Sequence, residues 1–274
     1  MHLLVLGLGY TAAHFAAAFR ARGGTVTAVR SRAAADTLTL QSPEITAEIA
    51  RATHILSSIP PAPGGEDPAI AAHGPAIAAA PARWVGYLSS TGVYGDAAGA
   101  WVDEASPLKG RRSGRLAADL AWQALHPEAR VFRLPGIYGP ARSTLDRLRQ
   151  GPVARIDLPG HVFSRIHVDD ITGAMLASLH SGAPGIYNLC DNEPAPGEAV
   201  TAYAARLLGL PVPPLQSLEA AQLSPMGRAF YGECRRVANG KMTRDLRYEL
   251  RYPDYRSGLA ACLHNPPAHN GDQP

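Results

Sequence analysis

Cysteine is scarce in this chain. Cys190, Cys234 and Cys262 are its only three in 274 residues, widely separated and without a C-x-x-C. An odd, sparse count argues against a disulfide framework and for a reducing compartment, the cytoplasm, with the thiols as small core residues. The ten histidines are scattered, with no H-E-x-x-H or similar pairing, so no metal site is expected. No apolar run reaches the roughly 18 residues of a membrane span. The apolar N-terminus lacks the basic flank of a secretory signal. Positive charge is also thin: the net charge is +3 and no Lys/Arg run exceeds two residues. Nucleic acid is therefore not an expected partner.

What the chain does have is apolar residue, 46% of the total, enough for one large domain or a domain with a smaller lobe. Short β-rich runs alternate with helical patterns. Strands are expected at His2–Leu6, Thr25–Val29, Thr37–Leu40, Thr53–Ile59, Ala82–Ser90, Ala129–Leu134 and Gly185–Cys190. Helices are expected at Thr11–Arg22, Asp67–Ala80 and Arg115–Leu125. Strands separated by helices imply parallel crossovers. The expected fold is α/β: a Rossmann-type doubly wound parallel sheet with a smaller, mostly helical C-terminal substrate lobe. Residues 1–137 and about 166–190 would form the dinucleotide-binding part. Residues from about 138 to 165 and from 191 to 264 would form the lobe, with 265–274 a frayed tail.

The stretch "VLGLGYTAAHFAAAF", Val5 to Phe19, carries the first functional signal. A strand ends, two glycines stand two apart, and an alanine-rich helical run begins. Gly7 suits a tight turn, Gly9 lets a ligand approach the backbone, and Ala12 lets the helix lie close to the strand. This is the G-x-G-x-x-G/A dinucleotide pattern, with the diphosphate on the helix N-terminus. Tyr10 and Thr11 complete the expected contacts; an ordinary glycine turn is the alternative. After the second strand the sequence reads "VRSRAAAD", with no carboxylate before Asp36. Arg30, Ser31 and Arg32 there suit a 2′-phosphate, so NADP is preferred over NAD. The other reading makes them solvated loop residues. Ser58, Ile59 and Pro60 of "SSIPPAP" would pass the adenosine half of the cofactor, or form an ordinary proline-rich loop.

Four later segments, "YLSSTGVYGD", "FRLPGIYGPARS", "SRIHVDDI" and "GIYNLCDNEP", resemble the extended short-chain dehydrogenase/reductases, nearest to the NAD-dependent epimerase/dehydratase family. The resemblance runs from Leu3 to about Leu263. Leu6 stands where the usual first glycine of the opening motif would be, as in an atypical branch. The family implies that Ser90 is the catalytic hydroxyl, with Ser89 beside it at the cofactor and Thr91 at the substrate. It implies that Pro135, Gly136, Ile137 and Tyr138 pack on the nicotinamide. Arg165 matches a residue contacting substrate phosphate, and His167 and Asp169 lie near that edge. "HVDD" can equally cap a helix beginning near Val168.

The departure lies on the helix after the fifth strand. The family's Y-x-x-x-K acid/base pair is missing from the whole chain. The matching window "GRRSGRLAADLAW" puts Arg111 at the Tyr and Arg115 at the Lys. Arg115 could still hold the ribose or a phosphate. Arg111 cannot supply a proton near neutral pH. Tyr94, on the loop with Ser90, is the expected replacement, and His167 the second choice. Two functions stay open: hydride transfer on a small polar or nucleotide-sugar substrate, or a catalytically silent dinucleotide-binding sensor or partner-binding protein. A homodimer through sheet-flanking helices is plausible.

Overall fold

The computed structural model describes residues 1–32 and 36–264; the expected frayed tail lies outside the described residues. Seven strands make the central sheet: β1 (His2–Leu6), β2 (Thr25–Val29), β3 (Thr37–Leu38), β4 (His54–Ser57), β5 (Val85–Ser90), β7 (Ala129–Leu134) and β11 (Gly185–Asn188). Their order is β11-β7-β5-β4-β1-β2-β3, and every neighbouring pair is parallel. Strand order reverses at β1, which is the switch point of a doubly wound sheet.

β1 shows why the sheet has two covered faces. Its apolar run is buried throughout, and a strand alternates its side chains. Leu3 and Val5 meet Phe15 of α1 (Tyr10–Ala21) and Ile171 and Met175 of α6 (Val168–Ala177). Leu4 and Leu6 meet Ile45 of α2 (Ile45–Arg51), Ile77 of α3 (Pro68–Ala78) and Trp122 of α4 (Ser113–Leu125). Asp67 caps α3 through the Ala69 and Ile70 N–H groups, and its second oxygen accepts from Trp122 Nε1 at 2.8 Å. One carboxylate thus fixes α3 against α4.

The remaining elements gather beyond the C-terminal edge of the sheet. β8 (Gly136–Tyr138) pairs with β10 (Arg165–His167), β9 (Arg155–Ile156) with β12 (Leu215–Gln216), and β6 (Trp101–Val102) with β13 (Arg236–Val237). A separate apolar cluster joins α5 (Thr144–Gln150), α7 (Gly197–Leu207) and α10 (Tyr255–His264) around Leu145, Ala204 and Leu259. A short helix, α8 (Pro225–Phe230), lies in the same C-terminal stretch. Residues 191–264 are not all part of that cluster. α9 (Gly240–Asp245) leads into Leu246, and both Met242 and Leu246 pack into the cluster of α1 and α6.

A row of polar residues crosses the C-terminal end of the sheet. Register aligns Ser89 of β5 with Arg133 of β7, and Arg133 with Asn188 of β11. Arg133 is 1% exposed and Asp119 of α4 is 0% exposed, so neither charge can rely on water. Arg133 donates to both Asp119 oxygens, at 3.1 and 2.7 Å. Ser89 Oγ donates to Asp119 at 2.5 Å, and Gln123 Nε2 at 2.7 Å. Removing one partner of such a pair strands the other charge, which typically costs about 3–5 kcal/mol. Asp119→Ala is therefore expected to lose about that much stability in urea denaturation. A loss below about 1 kcal/mol would show that Arg133 finds water or another partner.

Candidate active site

The site begins at the turn between β1 and α1. Gly7 has φ +89°, and an added Cβ would lie 2.8 Å from Ile59. Only glycine fits that conformation without strain. The Ser58 hydroxyl donates to the Gly7 carbonyl, locking the post-β4 loop against the turn. Gly9 is different: its φ is −86°, and a Cβ there would meet nothing within 4 Å. The open space lies at the start of a 12-residue helix with no side-chain cap and no acidic residue in its first turn. That helix end presents N–H groups and the positive end of the helix dipole to any anion placed there. Thr11 and Ala12 are buried behind it, and Tyr10 donates its hydroxyl to the Pro140 carbonyl at 2.9 Å. Arg30, Ser31 and Arg32 follow β2 and are all exposed.

A cavity of about 380 Å³ opens beside the end of β5. Ser90, Thr91, Leu134, Pro135 and Gly136 form its floor, and Arg111, Arg112, Arg115 and Arg235 line it with Glu233. Ser90 Oγ accepts the Gly92 N–H at 3.1 Å, which leaves its own O–H free to donate. Glu233 accepts from Arg111 Nε at 3.0 Å and Arg235 Nη1 at 2.7 Å. Burial pushes the Glu233 carboxyl up, but those two guanidinium groups outweigh it and hold the carboxyl below its ordinary value. It is a carboxylate at neutral pH and a poor proton donor.

A larger cavity, about 820 Å³, lies on the lobe side of β8. Gly136, Ile137 and Tyr138 border it, so the segment after β7 forms a wall between the two cavities. Arg142, Arg147 and Arg165 line it together with Ser143, Thr144 and Thr201. Arg165 is oriented by its bonds to the Phe163 and Ala195 carbonyls, at 2.8 and 2.9 Å. Asp191, 1% exposed, stands behind it with Oδ2 unpaired, and burial pushes its carboxyl up to about 8.

Three sequence expectations need correction. Tyr94 is 2% exposed and does not line the cavity beside Ser90. Its hydroxyl donates to Asn188 Oδ1 at 2.7 Å and accepts from Arg133 Nη1 at 3.0 Å. Burial raises its phenol despite Arg133. Tyr94 belongs to the buried polar row. Ser89, expected at the cofactor, has its hydroxyl engaged by Asp119 in the same row. His167 is 1% exposed and caps α6 by accepting the Asp169 N–H at 3.1 Å. Burial pushes its imidazole well below the ordinary value, so it stays neutral and structural.

Sequence reasoning missed Glu233 and Arg235, which sit in an irregular segment with no motif. It also missed the Asp119–Arg133 pair, for which a signal existed. Arg133 interrupts "ARVFRL", a strand expected to be buried, and a buried charge requires a partner.

No family model matches the chain. A "3-diazoavenalumate denitrifying reductase" from Streptomyces is 31% identical over 140 residues, 47% of this chain and 45% of that one. "Protein YeeZ" from Escherichia coli is 33% identical over 174 residues, 61% of this chain and 58% of that one. The match thus spans about half the length of these curated relatives. Among solved structures, a conserved Silicibacter pomeroyi protein of unknown function is 43% identical, with a TM-score of 0.89 over 97% of this chain and 99% of that one. A Methylobacillus flagellatus protein provisionally described as an NAD-dependent epimerase/dehydratase is 25% identical, with a TM-score of 0.71 over 96% and 97%. The human epimerase family protein SDR39U1, solved with NADPH, shares the fold at 18% identity and a TM-score of 0.79 over 97% and 100%. The chain has the fold of its epimerase/dehydratase neighbours. Its seven-stranded sheet is the Rossmann-like sheet of the epimerase/dehydratases. Among the described residues no helix is long and apolar enough to cross a membrane.

The buried placement of Tyr94 predicts the phenotype of its removal. Tyr94→Phe leaves Asn188 Oδ1 and one Arg133 N–H without their partner, and an unsatisfied buried group costs about 1–3 kcal/mol. Thermal and urea unfolding should show that loss, while ligand affinities in the cavity beside Ser90 stay within a few-fold. Unchanged stability together with lost ligand binding would place Tyr94 back in the site.

Proposed function

We propose that this protein binds a nicotinamide dinucleotide across the C-terminal edge of its sheet, NADP in preference to NAD. It acts there as an oxidoreductase, epimerase or dehydratase on a small polar or nucleotide-sugar substrate. The observation that carries the reading is the open, uncapped N-terminus of α1 at Gly9. That cradle fits a diphosphate, and the same sheet edge leads to the free O–H of Ser90. Structural neighbours that hold NAD or NADPH support the cofactor class. The three widely spaced thiols suit a reducing cytoplasm.

When bound, the dinucleotide would supply a hydride donor or acceptor. The chain's own residues do the rest. The helix N-terminus and its dipole hold the diphosphate. Arg30 and Arg32, exposed beyond β2 with no acid before Asp36, meet the 2′-phosphate. Ser90 donates to the reacting oxygen, and Pro135 and Gly136 form the floor beside it. The Arg142, Arg147 and Arg165 cavity receives the polar end of a nucleotide-sugar substrate.

One observation favours the second reading, a silent dinucleotide-binding protein. The cavity beside Ser90 holds no side-chain acid poised to give a proton: Glu233 is held ionised, and Tyr94 is out of reach. Ser90 and the ordered cavity around it favour the enzyme.

Titration of both cofactors tests the proposal. Wild type should bind NADP more tightly than NAD, and Arg30→Ala with Arg32→Ala should narrow the difference by about tenfold or more. Equal or tighter NAD binding by wild type would refute the preference. Binding of neither would refute the cofactor assignment.

A further inference from the structure

Resting on the reading of the cavity beside Ser90 as the reacting site, we propose that it recognises an anionic group, a carboxylate or phosphate, on a small apolar body. Arg112 and Arg115 are the residues that grip it. The charge balance of the cavity leads there. Four guanidinium groups line it against one carboxylate. Glu233 is already bonded to Arg111 and Arg235, which accounts for two of the four. Among the described residues, Arg112 and Arg115 make no ion pair and no side-chain hydrogen bond. They remain as uncompensated positive charge.

Arg111, Arg112 and Arg115 also line a second cavity of about 380 Å³, walled by Pro61 to Gly65. They therefore form the partition between two spaces that both approach the sheet edge. The partition is the segment that enters α4 with the helix's first turn; α4 is a 13-residue helix with no side-chain cap and no acid in its first turn. Backbone N–H groups and guanidinium forks favour the same kind of ligand. Gly114 makes the arrangement possible: a Cβ there would come within 2.4 Å of the Gly65 Cα, so the helix start lies directly against the loop. Guanidinium does not give up its proton near neutral pH, so these residues bind rather than transfer protons.

The apolar lining sets the rest of the ligand. Val162, Phe163, Phe230 and Val237 supply it. Phe163 stacks on Phe230 with centroids 4.5 Å apart, and Phe230 is exposed although it is a large apolar ring. An anion with an apolar body satisfies both the guanidinium groups and this apolar lining.

Calorimetric titration of the full chain with benzoate, phenyl phosphate and benzamide tests this, with and without saturating NADP. At least one anion should bind, weakening with added salt, while the neutral amide should not. Benzoate alone would identify a carboxylate ligand, phenyl phosphate alone a phosphate. Arg112→Gln with Arg115→Gln should weaken the anion by about tenfold or more. Arg112 is exposed, so Arg112→Gln alone keeps the test valid if the double variant unfolds, and should weaken binding in the same direction. Benzamide binding as tightly as the anions, no anion binding at all, or full affinity in the variants would overturn the proposal. Anion binding without NADP binding would retain this proposal and defeat the reading it rests on; NADP binding without anion binding would do the reverse.

Discussion

The Asp119–Arg133 pair organises the working end of this molecule. Both side chains are out of water, and each makes sense only with the other. Through Ser89, Tyr94 and Asn188 the pair ties α4 to the ends of β5, β7 and β11. Ser90 is the next residue after Ser89, and the arginines at the start of α4 precede Asp119 by two turns of helix or less. The position of every group lining the cavity beside Ser90 on these elements is therefore inherited from one buried ion pair. Buried pairs often contribute little net stability, but they penalise any arrangement that separates the partners.

That constraint fixes the helix start beside the cavity. The Y-x-x-x-K pair that the family resemblance implies for this helix would move a proton through its Tyr. Here the same helix start presents guanidinium groups, which hold anions and do not exchange protons. The polar row behind them contains Tyr94, whose hydroxyl meets Arg133 and Asn188 instead of the cavity. The two cavities on either side of β8 then divide the labour. One is small, cationic and apolar-walled; the other is larger and carries Arg142, Arg147 and Arg165.

Much of the fold was legible. His2–Leu6, Thr25–Val29 and Ala129–Leu134 read as strands because they are short β-rich runs between helical patterns, and the structure has strands with those limits. Edges drifted where β-forming or apolar residues continue the pattern past the last ladder pair, as at Leu189 and Cys190 and at Thr39 and Leu40. The short helix Ile45–Arg51 and the two-residue pairs in the lobe escaped, since seven residues or two carry little periodic signal. The glycine turn was legible because Gly7 needs positive φ and Gly9 needs an empty flank, and both needs select one residue type. Tyr94 was misplaced for a definite reason: adjacency to Ser90 in sequence says nothing about which way a side chain leaves a 3₁₀ turn. Its direction is set by Arg133 and Asn188, 39 and 94 residues away. Glu233 was invisible because only tertiary packing brings residue 233 to the start of α4, where it meets Arg111.

The measurement that bears most directly on this account is dinucleotide binding by Gly9→Val. The backbone at Gly9, with φ −86° and ψ −175°, is one that valine adopts, and a Cβ there meets nothing within 4 Å. Circular dichroism and urea unfolding should therefore match wild type. Fluorescence titration with reduced NADP should show binding to wild type and none to the variant, because the valine side chain fills the space reserved for the diphosphate. Normal affinity in a folded Gly9→Val protein would mean that the diphosphate lies elsewhere, and the site described at this sheet edge would be wrong.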